Sequence, residues 1–186
     1  MNKDLHSYLK IYHNRIPDSM CDSILAQIKN QDWTQHSFYS YKTNTTETHD
    51  RDLSVSHYVV QENSELMDTI WKSLHQYMVE LNFTWYNSWN GFSAVRWNKY
   101  DVDTVMNEHC DHIHTLFDGE RKGIPTLTIL GVLNDDYKGG KLVMFSDEVI
   151  ECKKGDLLVF PSNFLYPHRV DAVKEGTRFS FVSWVW

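Results

Sequence analysis

Residues 177–186 read TRFSFVSWVW and end a C-terminal half that consists of short apolar runs. The earlier runs are FSAVRWNKY (92–100), TLTILGVLN (126–134), KLVMF (141–145), EVIEC (148–152), DLLVF (156–160) and HRVDAV (168–173). Turn residues such as Gly139-Gly140 and Pro161-Ser162-Asn163 separate these runs. Many short strands at such spacing are typical of a β-sandwich or barrel. We therefore predict a double-sheet jelly roll, the double-stranded β-helix of cupin-like proteins.

The N-terminal half carries the helical signals. Glu65 to Leu81 is the strongest helix, with one apolar stripe formed by Leu66, Ile70, Leu74 and Met78, flanked by Met67, Trp71 and Leu81. A shorter helix opens at Pro17-Asp18-Ser19, where Asp18 or Ser19 is available as a cap. Its apolar side recurs every four residues, at Met20, Ile24 and Ile28.

These elements predict an α+β fold in which N-terminal helices pack on the major sheet of the jelly roll. Leu9 to Ile16 is predicted as a short strand. Residues 39–52 are polar and Thr-rich and are predicted as a long exposed loop, either a functional lid or a simple hairpin. We expect a single domain over residues 1–186, with 1–90 as helical and β support and 91–186 as the catalytic core.

The amino-acid composition of the chain argues against some classes of function and favours others. The chain has 186 residues, a formal net charge of −7 and ten histidines. An acidic chain without a basic run argues against nucleic-acid binding, and ten histidines favour metal or proton chemistry. Three cysteines in no zinc-binding spacing imply no disulfide framework. With no apolar leader and no apolar span of membrane length, we expect a cytoplasmic protein without membrane contact, monomeric or weakly dimeric.

A metal site is indicated by His109-Cys110-Asp111. Residues i and i+2 of a strand face the same side, roughly 6.5 Å apart, so this imidazole and carboxylate can reach one ion. His168, at the start of a later strand, is the best-placed second imidazole, and two His with one carboxylate form the facial triad that suits Fe(II). Alternation turns Cys110 away from the metal. It also places the competing His112 and His114 on the opposite face.

An anion site is indicated by the strict alternation of residues 177–184. Phe179 and Phe181 point to one side, and Arg178 points to the other, together with Ser180, Val182 and Trp184. A guanidinium buried inside a jelly roll needs an anion, and it suits bidentate binding of a carboxylate such as the far end of 2-oxoglutarate. The alternative at this point is a local Asp or Glu partner for Arg178.

The set of His109, Asp111, His168 and Arg178 resembles the Fe(II)/2-oxoglutarate dioxygenases, specifically their prolyl 4-hydroxylase-like branch and its short stand-alone bacterial or viral members. Tyr100 lies nine residues before His109, as in that family. Further matches are Leu133-Asn134-Asp135, Gly139-Gly140-x-Leu142, Gly155-Asp156-Leu157-Leu158-Val159-Phe160-Pro161, His168-Arg169-Val170 and Gly176-Thr177-Arg178. Collagen-type members usually place Lys at the position of Arg178.

The resemblance implies an Fe(II) centre held by His109, Asp111 and His168, with 2-oxoglutarate as cosubstrate and O₂ as oxidant. It further implies succinate and CO₂ as coproducts and ascorbate as a stimulant. Arg178 is implied to bind 2-oxoglutarate with help from Tyr100 or Thr128, and Arg96 is the second choice for the anion site. The remaining pocket residues are expected to be Leu130, Val132, Leu142, Val182 and Trp184.

Peptidyl proline is the substrate that the resemblance implies. Loop 39–52 and the insert 112–122 would then clamp an extended peptide from a protein partner. The sequence leaves open another amino-acid side chain or a small molecule as substrate. Two other classes also stay open, a non-catalytic metal-binding jelly-roll module and a zinc hydrolase that uses the same three ligands.

Overall fold

The computed structural model describes residues 4–40, 43–84, 89, 91–111 and 125–186. A 3-10 helix spans Leu5–Tyr8, and two α-helices follow, α1 Asp18–Ile28 and α2 Asn63–Leu81. The strands are β1 Lys10–Tyr12, β2 Thr34–Gln35, β3 Phe38–Ser40, β4 Thr45–Glu47, β5 Ser54–Ser56, β6 Arg96–Tyr100, β7 Met106–His109, β8 Leu127–Val132, β9 Lys138–Gly139, β10 Leu142–Met144, β11 Glu148–Ile150, β12 Leu157–Pro161, β13 His168–Val170, β14 Val173–Glu175 and β15 Arg178–Val185.

Two antiparallel sheets form the core of the described structure. The major sheet has the strand order β1-β12-β8-β15-β6-β5-β2, and the minor sheet has the order β11-β10-β13-β7. The pairs β14-β9 and β3-β4 form two small ribbons. Strands distant in sequence are neighbours in both sheets, as in a double-stranded β-helix, so the predicted α+β jelly-roll architecture is confirmed. Neither α-helix of the described residues is long and apolar enough to cross a membrane.

The major sheet separates two apolar clusters. On one face, Phe181 and Ile129 pack in the same cluster as Ile24 of α1 and Ile70 of α2. On the other face, the cluster joins major-sheet residues such as Leu130 to the minor-sheet side chains. Side chains of a strand alternate between faces, so β6, β8 and β12 each supply both clusters. The helices therefore support the sheet from behind, and the opposite face is free to carry a site.

Both predicted helices are present. In α2 the buried stripe consists of Leu66, Ile70, Leu74, Tyr77 and Leu81. Tyr77 replaces the expected Met78 in this stripe, and its hydroxyl donates to the backbone carbonyl of Tyr8 at 2.7 Å. The expectation that Trp71 flanks the core is wrong, because this side chain is 51% exposed. It lies about 100° around the helix from Ile70, beyond the edge of the stripe.

The first helix has the expected apolar side but not the expected cap. Met20, Ile24 and Ile28 are all buried. Pro17 occupies the N-cap position without a side-chain hydrogen bond. Capping by Asp18 or Ser19 is therefore wrong, because the helix already begins at Asp18, one residue earlier than a cap at Asp18 requires and two earlier than a cap at Ser19 requires.

The strands are shorter than the apolar runs from which they are predicted. The predicted strand Leu9 to Ile16 is reduced to β1, which pairs with β12 at the edge of the major sheet. In the segment 39–52, for which a loop or a hairpin was predicted, β4 pairs antiparallel with β3, in agreement with the hairpin alternative. The insert 112–122, with His112 and His114, lies outside the described residues. The lid function of either segment stays a prediction.

Gly131 in β8 gives a first testable prediction, because Phe181 covers it. A Cβ atom at position 131 would lie 2.1 Å from Cε1 of Phe181, whose ring is fully buried. Overpacking of a well-packed core costs about 1–3 kcal/mol. Gly131→Ala is therefore expected to lower the melting temperature by roughly 2–12 °C, as measured by calorimetry. The double variant Gly131→Ala with Phe181→Leu should be less destabilised than the sum of the single variants, and additivity would contradict this packing.

Candidate active site

Three candidate metal ligands meet at the ends of neighbouring strands of the minor sheet. His109 is the last residue of β7 and His168 the first of β13, and the two residues face each other in the strand register. Asp111 follows two residues after β7. Its Oδ1 lies 3.3 Å from Nε2 of His109 and 3.8 Å from Nε2 of His168. One ligand atom from each residue lies within 4.8 Å of the others.

This arrangement corrects one detail of the sequence interpretation. The His-x-Asp motif was expected to lie inside a regular strand, but β7 ends at His109. Asp111 therefore reaches the cluster from the chain beyond the strand. Cys110, between the two ligands, is not part of the group.

Backbone carbonyls orient both imidazoles. Nδ1 of His109 is 2.7 Å from the carbonyl oxygen of Asn107, and Nδ1 of His168 is 3.2 Å from that of Tyr166. A carbonyl oxygen can only accept, so Nδ1 carries a proton in each ring, and in the neutral form Nε2 keeps its lone pair. Since both Nε2 atoms face Asp111, the tautomers suit metal ligation.

The carboxylate of Asp111 is held from the opposite sheet. Oγ1 of Thr128 in β8 donates to Oδ2 of Asp111 at 2.8 Å and lies 2.8 Å from Oγ of Ser162. This leaves Oδ1 directed at the two imidazoles. Asp111 therefore presents one oxygen to a metal position, and the hydroxyls fix the other.

The pKa values of Asp111, His109 and His168 depend on one another, because each group lies beside the other two. Burial alone would raise the pKa of Asp111, but the charges of His168 and His109 and the hydrogen bonds outweigh it and hold this pKa well below its usual range. Burial lowers the pKa of His168. Burial also acts to lower the pKa of His109, but contacts with Asp111 raise it above its usual value. An ionised carboxylate between imidazoles is the donor set of a divalent transition metal.

A cavity of about 370 Å³, including its open mouth, lies beside the triad. Of the predicted pocket residues, Tyr100, Thr128, Leu130 and Val182 line it together with the three ligands. Val132, Leu142, Trp184 and Arg178 are buried but are not among the lining residues. Their predicted pocket role stays a prediction.

Arg178 is one of the largest fully buried side chains in the described structure. Its Nη1 donates to Oγ of Ser180 at 2.9 Å, and the guanidinium lies 5.0 Å from the ring centroid of Tyr100, its register partner on β6. Among the described residues no carboxylate lies within salt-bridge distance, and the buried Nε has no hydrogen-bond partner. The alternative of a local acidic partner thus finds no support in the described part of the chain.

The sequence interpretation missed two polar residues of the site. Asn98 lines the cavity between Arg96 and Tyr100, and Ser162 supports Thr128. Asn98 could have been found, because alternation along β6 places it on the same face as Tyr100. Ser162 gave no such signal, since it lies outside the regular strands.

Comparison with known proteins identifies the family. Residues 95–186, about half of the chain, match the sequence model of the 2OG-Fe(II) oxygenase superfamily. The chain belongs to this superfamily. The matched segment begins just before β6 and includes the three candidate ligands and Arg178. The family name agrees with the His-Asp-His donor set, which fits Fe(II), and with an unpaired buried arginine suited to 2-oxoglutarate.

Curated relatives in this superfamily include PKHD-type hydroxylases. The protein from Rippkaea orientalis is 41% identical over 97 residues, which cover 50% of this chain and 42% of that protein. The protein from Idiomarina loihiensis is 32% identical over 96 residues, with the same coverage of each chain. The chain thus matches less than half of the length of these relatives.

Solved structures of superfamily members confirm the fold. The viral collagen prolyl hydroxylase of Paramecium Bursaria Chlorella virus-1, a 2OG complex, has a TM-score of 0.68 at 18% identity and covers 96% of this chain and 94% of that chain. A prolyl hydroxylase from Trichoplax adhaerens, in complex with a hypoxia inducible factor peptide fragment, has a TM-score of 0.70 at 18% identity, with coverages of 97% and 84%. The predicted likeness to the prolyl 4-hydroxylase-like branch is confirmed at the level of the fold.

Proposed function

We propose that the chain is an Fe(II)- and 2-oxoglutarate-dependent dioxygenase that hydroxylates a C–H bond. The observation that carries this proposal is the meeting of two imidazoles and one carboxylate beside a cavity lined by Tyr100, whose ring lies against the buried, acid-free guanidinium of Arg178. When bound, iron and 2-oxoglutarate supply the O₂ activation that hydroxylates the substrate and releases succinate and CO₂.

The metal would be held by Nε2 of His109, Nε2 of His168 and Oδ1 of Asp111. These three donors leave the cavity side of the metal position open to other ligands. Thr128 donates to the second oxygen of Asp111 and so would orient Oδ1 toward the metal. The protein thereby fixes the ligand geometry, which is its main contribution in a metal-dependent oxidation.

The far carboxylate of 2-oxoglutarate would pair with Arg178. The guanidinium has two donor edges, and only Nη1 is occupied by Ser180. Burial raises the pKa of Tyr100, so its phenol stays protonated and can donate to the same carboxylate. Leu130 and Val182 form an apolar wall between this anion site and the metal ligands, which excludes water from the bound cosubstrate.

The proposed substrate is peptidyl proline in a peptide or protein partner. Support comes from the fold shared with prolyl hydroxylases and from the prolyl hydroxylase of Trichoplax adhaerens, which is in complex with a peptide fragment. The open mouth of the cavity leaves room for a chain outside the metal site. Another amino-acid side chain or a small molecule is the alternative substrate class.

An anaerobic titration tests this function. Purified protein loaded with Fe(II) is expected to develop a visible charge-transfer band when 2-oxoglutarate is added, because the keto acid chelates the metal. Succinate, which lacks the keto group, serves as the control and should give no band. Bound iron without a band would contradict the proposal and would favour a metal-binding module or a zinc hydrolase.

A further inference from the structure

The cavity itself is lined by an arginine other than Arg178, and this arginine has no acidic partner in the described structure. Arg96, on β6, faces the cavity beside Asn98, and its Nε donates to Oδ1 of Asn98 at 3.2 Å. Its guanidinium carbon lies 5.0 Å from the ring centroid of Trp184. Within the described ranges, no Asp or Glu forms a salt bridge with Arg96. Burial lowers the pKa of Arg96, while the charge of Asp111 opposes this shift.

The surroundings of Arg96 contain further unsatisfied polar atoms. In the described structure, three buried side-chain nitrogens lack a hydrogen-bond partner, and two of them are Nδ1 of His36 and Nε1 of Trp184. Trp184 is the residue on which Arg96 stacks. His36 directly follows β2, which only β5 separates from β6 in the major sheet, and burial, followed by the charge of Arg96, lowers the pKa of His36 to about 4. The third unpartnered nitrogen belongs to Arg178.

The two arginines cannot serve the same carboxylate. Arg178 pairs with Tyr100 in the strand register, and Arg96 lies four residues earlier on β6, opposite Val182. Four residues of an extended strand span roughly 13 Å. Since 2-oxoglutarate has one far carboxylate and uses its keto-acid end on the metal, Arg178 accounts for the cosubstrate. The guanidinium of Arg96, at the other end of β6, is left without an assigned ligand.

We propose that Arg96, stacked on Trp184 and supported by Asn98, binds a carboxylate of the substrate that is to be hydroxylated. The inference rests on the proposed function and narrows its substrate class. A partly buried guanidinium without an acid is costly until an anion arrives, and a carboxylate matches its donor edge. The carboxylate comes either from a free amino acid or from an acidic side chain of a peptide.

Binding to an inert form of the enzyme tests the proposal. Protein loaded with Zn(II) and 2-oxoglutarate is titrated with each of the twenty free L-amino acids and with their α-amides. A second series uses blocked tripeptides with a central Asp or Glu, matched to Asn or Gln. At least one carboxylate probe should bind roughly 30-fold more tightly than its amide partner, the factor expected for a buried charged pair. The series that shows this preference identifies the source of the carboxylate.

Variants assign the effect to Arg96. Arg96→Gln should remove the preference for carboxylate over amide, and Arg96→Lys should restore part of it. Lys99→Gln is the matched control, because Lys99 lies on the same strand but faces Trp33 on the helix side, and it should leave the preference unchanged. Circular dichroism of each variant checks the fold.

Three results would overturn the inference. These are equal binding of acids and amides, no binding of any carboxylate probe, and a loss of 2-oxoglutarate affinity in Arg96→Gln. The last result would assign Arg96 to the cosubstrate. Failure of the wild-type protein to bind 2-oxoglutarate at all would instead contradict the proposed function, so the two failures are distinguishable.

Discussion

Replacement of His168 by alanine is expected to abolish 2-oxoglutarate turnover. His168 supplies one of three donors, and its Nε2 lies 3.8 Å from the carboxylate oxygen of Asp111. Changes to residues that merely support metal ligands cost about 10–100-fold in affinity or activity. Loss of a ligand should therefore exceed ~100-fold, as measured by succinate formation.

The matched control for this variant is His75→Ala. His75 is exposed on α2, on the helix side of the major sheet, and its loss should leave turnover unchanged. Metal binding gives a second readout, because a metal that binds only the folded state raises the melting temperature. Mn(II) should stabilise the wild-type protein and not His168→Ala. Wild-type turnover or wild-type stabilisation in that variant would remove His168 from the metal site.

Loss of the Arg178 guanidinium is expected to have the second-largest effect. Truncating one partner of a buried charged pair costs about 2–5 kcal/mol. The concentration of 2-oxoglutarate required for half-maximal turnover should therefore rise by roughly 30-fold to several thousand-fold in Arg178→Met. Arg178→Lys should recover part of the affinity, because an ammonium keeps the charge but not the bidentate geometry.

The stability of Arg178→Met separates a binding defect from a folding defect. Nε of Arg178 is buried without a partner, and no described carboxylate offsets the charge. Replacing such a charge by an apolar side chain of similar size is often neutral or stabilising. The melting temperature of the metal-free variant should therefore equal or exceed that of the wild type. The control is Lys138→Met, at an exposed ion pair with Glu175, which should change neither the melting temperature nor the 2-oxoglutarate concentration required for half-maximal turnover. Unchanged 2-oxoglutarate affinity in Arg178→Met would refute this role.

Much of the fold could be predicted because the patterns of apolar residues were strong. Alternation along residues 177–184 correctly placed Arg178 and Phe181 on opposite faces, and the stripe in α2 marked the helix. The short strands β2 and β5 were missed because each has only two or three residues, which is too few for a periodic signal. The capping of α1 was missed because Pro17 takes the N-cap position, which leaves Asp18 and Ser19 inside the first turn of the helix.

The site was predictable in its residues and less so in its geometry. The spacing of His109 and Asp111 indicated a shared ion, but strand alternation could not show that β7 ends between them. The hydrogen bond from Thr128 to Asp111 joins opposite sheets. Such a contact depends on how far apart the sheets lie, which no local pattern encodes. The absence of an acidic neighbour for Arg96 in the described structure likewise became visible only in three dimensions.

The two faces of the three central strands serve different purposes, and this gives a simple rule for engineering. On β6, β8 and β15, the cavity side happens to carry the even-numbered positions and the helix side the odd-numbered ones. A mutagenesis library restricted to even-numbered positions, such as 96, 98, 130 and 182, would change the cavity lining and with it the substrate preference. It would leave the odd-numbered side chains that pack against the helices unchanged. Deletion of one residue from β15 would swap the two sets at once, because side-chain direction repeats every second residue. Frame-preserving indels in this strand should therefore be far rarer among active clones than point substitutions.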